Sequence, residues 1–531
     1  MHDVYVSRWL YMLDEASLEQ KIQDVLQNRF HLTSLYPYQE LVIHTICERN
    51  GLLGREIQQN AYEKQVVILP TGSGKSVCFM LPSLLIRGIT IVVYPLLSLM
   101  NDQSRRFAEL GEKAVILRGG QGRAERNALW HALATGSSRF IITNPETLQN
   151  TQVISHLSHL SISLMVIDEV HTVTQWGETF RPAYLVLSDI IRKISPQQVL
   201  AFTATASPRI IERITAILFD GKEPHVIRGN PDRPNIFYRA LPTLCKKHAI
   251  EMLLRYSIAL PALCFCMSRN RCEQYAWEMK MRIPSLQVRY YHAGLDKTER
   301  EATEQWFFSA EHAVLFCTTA YGMGVDKRGI RTVVHVDLSQ DVESFLQESG
   351  RAGRDGKRSL SIVLLDYLSS ETPRLQSSTP QEQLQAVFLQ SDHCRREALL
   401  QMMGFAHDSC SGCDICNGTS VTVPDGLEQI LALCSIYPFR FTVEMAAYTL
   451  CGDTSYSPRS SQHRFNPFFG VLYRWEPDDI IAAIHQLIRL HKLGRGTWLL
   501  GKNRLYCRKI KPLHERLSSL LSRDESVRPL R

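Results

Sequence analysis

No apolar run in this chain approaches the roughly 18 consecutive residues that a membrane-spanning helix needs. The strongest, Cys78 to Ile86 and Ile89 to Met100, are separated by Arg87. A spanning segment is therefore not expected, nor is a membrane partner. The N-terminus, MHDVYVSRWLYMLDEASL, lacks the basic start and unbroken apolar stretch of an export leader, because acids are mixed into it. Cysteine is not dense: there are 14 in 531 residues, and ten stand singly in apolar segments, where a free thiol behaves as a small hydrophobe. A disulfide framework would be denser in a shorter chain, so a reducing, cytoplasmic setting is expected. Neither sign of charge dominates, with 60 Lys and Arg against 53 Asp and Glu giving +7, which alone implies only mild affinity for polyanions.

At 44% hydrophobic and 21% charged residues, the composition is that of a soluble globular protein, and the length has room for three or four domains at roughly 150 residues each. Short β-rich runs alternate with helical patterns: Gln65 to Leu69, Thr90 to Tyr94, Phe140 to Thr143, Leu164 to Ile167 and Val199 to Thr203. A second set follows at Ala262 to Met267, Val288 to Tyr291, Val314 to Cys317, Val333 to Val336 and Ser361 to Leu365. Continuous apolar runs of this length read as parallel strands buried on both faces, so the fold class expected is α/β, with two doubly wound units in tandem. The stretch 223–238, with three prolines and a Gly-Asn pair, reads as an extended link between them. After Asp366 the alternation stops. Helical patterns resume from Gly426 and end in LGRGTWLLGKNRLYCRKI, where two strand-like runs flank Gly501-Lys502-Asn503 and predict a hairpin.

VVILPTGSGKS runs a strand into Thr71, Gly72, Ser73, Gly74, Lys75 and Ser76. Glycines let backbone N–H groups wrap phosphate oxygens, Lys75 can reach the β and γ phosphates, and Ser76 can ligate Mg²⁺ at a helix N-terminus. The strict phosphate-loop pattern has glycine where this chain has Leu69. LMVI followed by Asp168-Glu169-Val170-His171 puts two carboxylates at the C-terminal end of a strand, where open α/β sheets bind ligands. Asp168 suits a Mg²⁺ shell, and Glu169 suits orienting and deprotonating a water. QESGRAGRDGK sets Arg351 and Arg354 three residues apart, two guanidinium groups able to grip a γ-phosphate; a basic loop facing solvent or DNA is the alternative. Cys394, Cys410, Cys413 and Cys416 form C-x15-C-x2-C-x2-C, a spacing that suits one tetrahedral structural Zn²⁺ better than two disulfides in a reducing compartment. From Arg489 to Arg516 there are nine Lys and Arg against one acid, Glu515, either a solvated face or a polyanion-binding surface.

LPTGSGKS, VVYPLLSLMNDQ, DEVH, AFTATASP, YHAGL, TTAYGMGVDK and QESGRAGRDGK, in this order, resemble the motifs of superfamily 2 helicases and, more closely, the RecQ family. TQWGETFRPAY after DEVH and the cysteines behind the second α/β unit are similar to features of that family, and the resemblance spans residues 30 to 515. It implies a RecA-like ATP-binding domain in residues 1–228, a second RecA-like domain in 229–366, a helical zinc-binding subdomain in 367–420, a winged helix in 421–517 and a tail in 518–531. It further implies a monomeric ATP-dependent DNA helicase moving 3′ to 5′ in repair or recombination, nucleoid-associated if the source is bacterial, with ATP, Mg²⁺ and Zn²⁺ as cofactors. Single-stranded and duplex DNA would be its partners.

By the same resemblance Gln39 would read adenine, Thr71 to Ser76 would bind the ATP phosphates, and Arg351 and Arg354 would complete the site across a cleft. Trp176, Phe180 and Arg181 would sense single-stranded DNA. Arg495, Lys502 and Arg504 of the basic hairpin would face duplex, with Trp498 or Tyr506 as a strand-separating tip. Tyr36 and Val170 depart from the family's usual arginine and alanine, which bears on adenine recognition more than on phosphate binding. Two alternatives stand beside this expectation: an RNA helicase or double-strand translocase using the same motor, and a zinc and winged-helix DNA-binding protein whose motor does not cycle.

Overall fold

The computed structural model describes residues 14–52, 62–69, 73–95, 97–170, 182–204, 206–321, 327, 329–367, 379–389, 392–406, 409–454, 466–496 and 503–508. The chain divides into two compact units, with the main boundary between Arg233 and Pro234.

The first unit is built on seven strands: β1 (Lys64–Ile68), β2 (Ile89–Val93), β3 (Ala114–Ile116), β4 (Phe140–Thr143), β5 (Ile162–Ile167), β6 (Val199–Thr203) and β7 (His225–Arg228). Their order is β3-β4-β2-β5-β6-β1-β7, and every pairing is parallel. The central strands ITIVV, ISLMVI and VLAFT are buried along their whole length. Their β-branched residues suit a pleated surface covered on both sides. Successive side chains enter opposite cores. Val66, Ile91 and Met165 pack toward the helices Leu187–Ile194 and Pro208–Phe219, while Val67, Val92 and Val166 pack toward the helices Lys75–Leu85 and Leu97–Glu109.

The second unit carries six parallel strands: β8 (Ile236–Thr243), β9 (Ala262–Phe265), β10 (Gln287–Tyr291), β11 (Ala313–Cys317), β12 (Thr332–His335) and β13 (Ser359–Asp366), ordered β10-β11-β9-β12-β13-β8. Behind this sheet come the helices Leu427–Ile436, Val443–Cys451 and Pro477–Arg489. The antiparallel pair β14 (Leu493–Arg495) and β15 (Leu505–Cys507) follows, with Arg495 opposite Leu505, the element order of a winged helix. Leu244 and Cys245, on the chain leaving β8, share the apolar core of this helical part. Two polar knots fasten it to the second α/β sheet's helices. The His248 ring stacks on Trp475 with centroids 3.7 Å apart, and Asp425 accepts from Trp475 Nε1 at 3.1 Å while lying 3.2 Å from His248 Nε2. Arg282 donates to both Asp479 oxygens and to Glu251.

The two sheets agree with the sequence pattern, and a hairpin forms with Leu493–Arg495 as its first described strand, while the run directly before Gly501 lies outside the described residues. The extended link differs. Residues 223–238 are extended as expected, but they contain β7 and the start of β8, the strands at one edge of each sheet, so only residues 229–235 connect the sheets. Prolines 224, 231 and 234 lie outside the paired segments, and Val226-Ile227 and Ile236-Phe237 carry the pairing. The short strand β3 had no run long enough to mark it.

Candidate active site

The phosphate-loop residues that are described begin at Ser73; Thr71 and Gly72 lie outside the described residues. Gly74 caps the helix Lys75–Leu85 at φ 76°, in the left-handed region where glycine has no steric penalty. A Cβ there would stand 2.5 Å from Gln39 Nε2. The backbone is thus held against Gln39, whose Nε2 donates to the Ser73 carbonyl at 2.9 Å and whose Oε1 accepts from the Tyr36 N–H at 2.9 Å. Gln39 is buried, so the structure places it as a brace between the helix Pro37–Arg49 and the loop. Tyr38 reaches the same carbonyl at 3.3 Å.

β5 delivers the acidic pair. The Asp168 N–H still bonds to the Val93 carbonyl at 3.0 Å, continuing the sheet, and Asp168 Oδ1 then accepts from the Glu169 N–H at 2.9 Å. Glu169 turns the chain at φ 50°, a left-handed conformation uncommon outside glycine, and the Val170 N–H rejoins β6 at Phe202. The turn brings Glu169 Oε1 to 3.2 Å from Lys75 Nζ, a pair only 12% exposed on the lysine side. Arg106, on the helix Leu97–Glu109, donates to Ser76 Oγ at 3.2 Å. Four of the expected catalytic or magnesium-binding groups, Lys75, Ser76, Asp168 and Glu169, therefore lie at the C-terminal ends of β1 and β5 in one unit. The sequence reading missed Arg106, because a contact 30 positions away on a separate helix leaves no local spacing signal.

These residues suit a magnesium nucleotide. The cation Lys75, a close-approach glycine and two carboxylates opposite them are the donor set that a polyphosphate and its metal require.

In the second unit, Arg351 and Arg354 follow the helix Val342–Ser349. Arg351 is buried, and its Nε has no hydrogen-bond partner among the described residues. Burial and then the Arg354 charge push its pKa down to about 10, so it stays cationic at neutral pH. One turn earlier, Glu348 is buried beside Ser339, whose hydroxyl donates to it at 2.6 Å, and its Oε2 lies 3.3 Å from His335 Nε2.

The four cysteines converge. Their Sγ atoms all lie within 4.8 Å of one another, with Cys394 and Cys413 4.0 Å apart, and none is in a disulfide. Zn–S bonds of ~2.3 Å in a tetrahedron place thiolates about 3.8 Å apart, so the cluster fits one zinc ion, while a disulfide would need about 2.05 Å. N–H groups of Glu397 and Cys416 point at Cys394 and Cys413, as thiolate ligands favour. The residues next to the ligands hold the knuckle on β8. Arg395 Nε donates to Asp414 Oδ1 at 2.5 Å, Asp414 Oδ2 accepts from the Ala240 N–H at 2.9 Å, and Tyr238 bridges to Cys413.

Of the expected DNA-facing residues, Trp176, Phe180, Arg181, Lys502 and also Trp498 lie outside the described residues. Arg495 is exposed on β14. Arg504 is exposed too, but its Nη1 donates to the carbonyls of Phe439 and Arg440 at 3.3 and 3.1 Å, which ties the hairpin to its own domain. The Tyr506 ring packs on Phe439 with centroids 4.9 Å apart.

Residues 36–214 match the DEAD/DEAH box helicase family and residues 245–356 match the helicase conserved C-terminal domain. The chain is 31% identical over 494 residues to ATP-dependent DNA helicase RecQ of Pasteurella multocida, covering 90% of this chain and 75% of that protein. It is 36% identical over 349 residues to the probable ATP-dependent DNA helicase RecS of Bacillus subtilis, covering 65% of this chain and 66% of that one. Among solved structures, the DUF1998 helicase MrfA bound to DNA shares the fold at a TM-score of 0.53, with 18% identity over 92% of this chain and 59% of that one. Among the described residues no helix is long and apolar enough to cross a membrane. The chain belongs to the RecQ family of ATP-dependent DNA helicases.

Proposed function

We propose that the protein hydrolyses ATP to move 3′ to 5′ along single-stranded DNA and to unwind duplex during repair or recombination. The observation that carries the reading is the Lys75–Glu169 contact of 3.2 Å, with Asp168 and Ser76 beside it. An ammonium and a carboxylate held this way can exchange partners. Lys75 would turn to the β and γ phosphates, which frees Glu169 to orient a water and accept its proton. Gln39 keeps the loop backbone in place and has a second amide hydrogen to offer an adenine. Mg²⁺, held by Ser76 and Asp168, would supply charge neutralisation on the phosphates. Arg351, buried and cationic, suits stabilising the charge that develops on the transferred γ-phosphoryl group, and Arg354 would assist it.

DNA would engage Trp176, Phe180 and Arg181 in the segment after DEVH, where aromatic stacking without base preference contributes roughly 1 to 3 kcal/mol per base. Arg495, Lys502 and Arg504 would meet duplex phosphates, which makes binding salt-dependent and sequence-independent. The zinc ion would be structural: Cys394, Cys410, Cys413 and Cys416 would supply all four ligands and would leave no open position for chemistry.

The test is a steady-state ATPase assay with and without single-stranded DNA or RNA, with Lys75→Ala as control. Turnover stimulated by DNA and abolished in the variant is expected. Stimulation mainly by RNA, or no wild-type turnover, would overturn the assignment.

A further inference from the structure

Tyr94 is the first residue past β2, and it lies beside Asp168, the first residue past β5. Val93 is in register with Ile167, and the Asp168 N–H reaches the Val93 carbonyl. Side chains alternate between faces along a strand, so Tyr94 and Asp168 continue the row of Val92 and Val166. That row faces the helices Lys75–Leu85 and Leu97–Glu109, which carry Lys75, Ser76 and Arg106. Tyr94 belongs to this core and is 0% exposed. Its hydroxyl is nevertheless without a hydrogen-bond partner among the described residues.

A buried phenol normally finds a partner, because an unbonded hydroxyl keeps its desolvation penalty. Nothing in the apolar packing requires the oxygen, since phenylalanine would fill the same volume. The charges that act on Tyr94 are Asp168, Arg106 and Glu169, all groups of the nucleotide site. Burial first, and the Asp168 charge second, hold the phenol well above its ordinary pKa.

We propose that Tyr94 is a positioning residue of the ATPase centre, its hydroxyl donating to a water of the metal shell held at Asp168. The inference rests on the reading of Asp168 as the metal-binding carboxylate. A neutral donor at that point orients the shell without adding charge that would compete with the phosphates, and it would find its partner only when metal and nucleotide are present.

The test compares the full chain with Tyr94→Phe, Asp168→Asn and the double variant. Three quantities are read: the Mg²⁺ concentration that half-saturates binding of a fluorescent ADP analogue, the melting temperature without ligand, and kcat and KM for ATP in single-stranded DNA. Loss of an outer-shell partner typically weakens metal binding 10- to 100-fold, so Tyr94→Phe is expected to raise the half-saturating Mg²⁺ about 10-fold and to lower kcat with little change in KM. Its ligand-free melting temperature should equal or exceed that of the wild type. In the Asp168→Asn background the substitution should add nothing, since the two groups act on one shell. Unchanged Mg²⁺ dependence in Tyr94→Phe, a lower ligand-free melting temperature, or effects of the two substitutions that simply multiply would each overturn the inference. Unchanged Mg²⁺ dependence in Asp168→Asn would instead remove the reading of Asp168 on which it rests.

Discussion

Lys75 Nζ and Glu169 Oε1 stand 3.2 Å apart, joining the phosphate loop to the acidic turn across 94 positions of sequence. The contact neutralises each group, and on the proposed reading it would break when either finds its working partner. On that reading Glu169→Gln removes the base but leaves an amide of the same shape. We expect ATP to bind as tightly as in the wild type or more so, because Lys75 is released, while kcat falls by about 10² to 10⁴. Equilibrium binding of a fluorescent nucleotide and single-turnover hydrolysis measure the two effects separately. Loss of binding together with turnover would assign Glu169 to holding the loop.

Gly74→Ala places a methyl group 2.5 Å from Gln39 Nε2 at a residue with φ 76°. The left-handed conformation alone costs about 1 to 2 kcal/mol for a residue with a Cβ. Displacement of Gln39 would also break its bond to the Ser73 carbonyl. Nucleotide affinity should fall at least about 10-fold, the equivalent of 1.4 kcal/mol. Titration with labelled ADP checks this, and wild-type affinity would show that the loop and Gln39 move apart freely.

The cysteine cluster predicts one zinc per chain by metal analysis, lost in Cys413→Ser. Asp414 is the sharper probe, because it ligates nothing yet holds Arg395 and the Ala240 N–H while fully buried. Breaking a buried ion pair by removing one partner costs about 3 to 5 kcal/mol. Asp414→Ala should lower the melting temperature as chelation does, and chelator should add little in the variant. Equal chelator sensitivity in both proteins would separate the knuckle's docking from its metal.

Burial pushes the Glu348 carboxyl up to about 7 and the His335 imidazole down to about 3. A carboxyl whose folded pKa is raised binds protons on folding, so its contribution is full below its ordinary value of 4.5 and is lost as pH rises through 7. A histidine whose folded pKa is lowered does the reverse: its contribution is present above its ordinary 6.5 and lost as pH falls toward 3. The two slopes offset each other between 4.5 and 6.5, and only the loss from Glu348 remains above that. Glu348→Gln should therefore gain on the wild type by on the order of 2 kcal/mol between pH 5 and pH 8. Denaturant midpoints at the two pH values measure it; parallel curves would mean that Glu348 stays ionised in the folded protein.

Strand positions were legible in the sequence because runs such as ITIVV and ISLMVI must be buried on both faces, and a hydrophobic pattern of that kind is a local property. The phosphate loop, the acidic turn, the arginine pair and the four cysteines were legible for a related reason. Each needs particular residue types at fixed short spacing, and short spacing is what a sequence displays. Strand β7 and the first residues of β8 read as a link because prolines and a Gly-Asn pair surround them, and only pairing with a neighbour distinguishes an edge strand from extended chain.

What the tertiary structure alone decided are relations between distant positions. The Arg106 contact with Ser76, the Gln39 brace on Ser73, the Asp414 anchor beneath the cysteines and the placing of Tyr94, whose hydroxyl has no hydrogen-bond partner among the described residues, on the strand end beside Asp168 follow from which strands are neighbours and in what register. The order β3-β4-β2-β5-β6-β1-β7 sets β2 beside β5, and nothing in either strand's own residues specifies that partner. The sequence by itself determined which chemistry the chain carries. The fold determined which groups share a site, because adjacency is the outcome of the whole core packing at once.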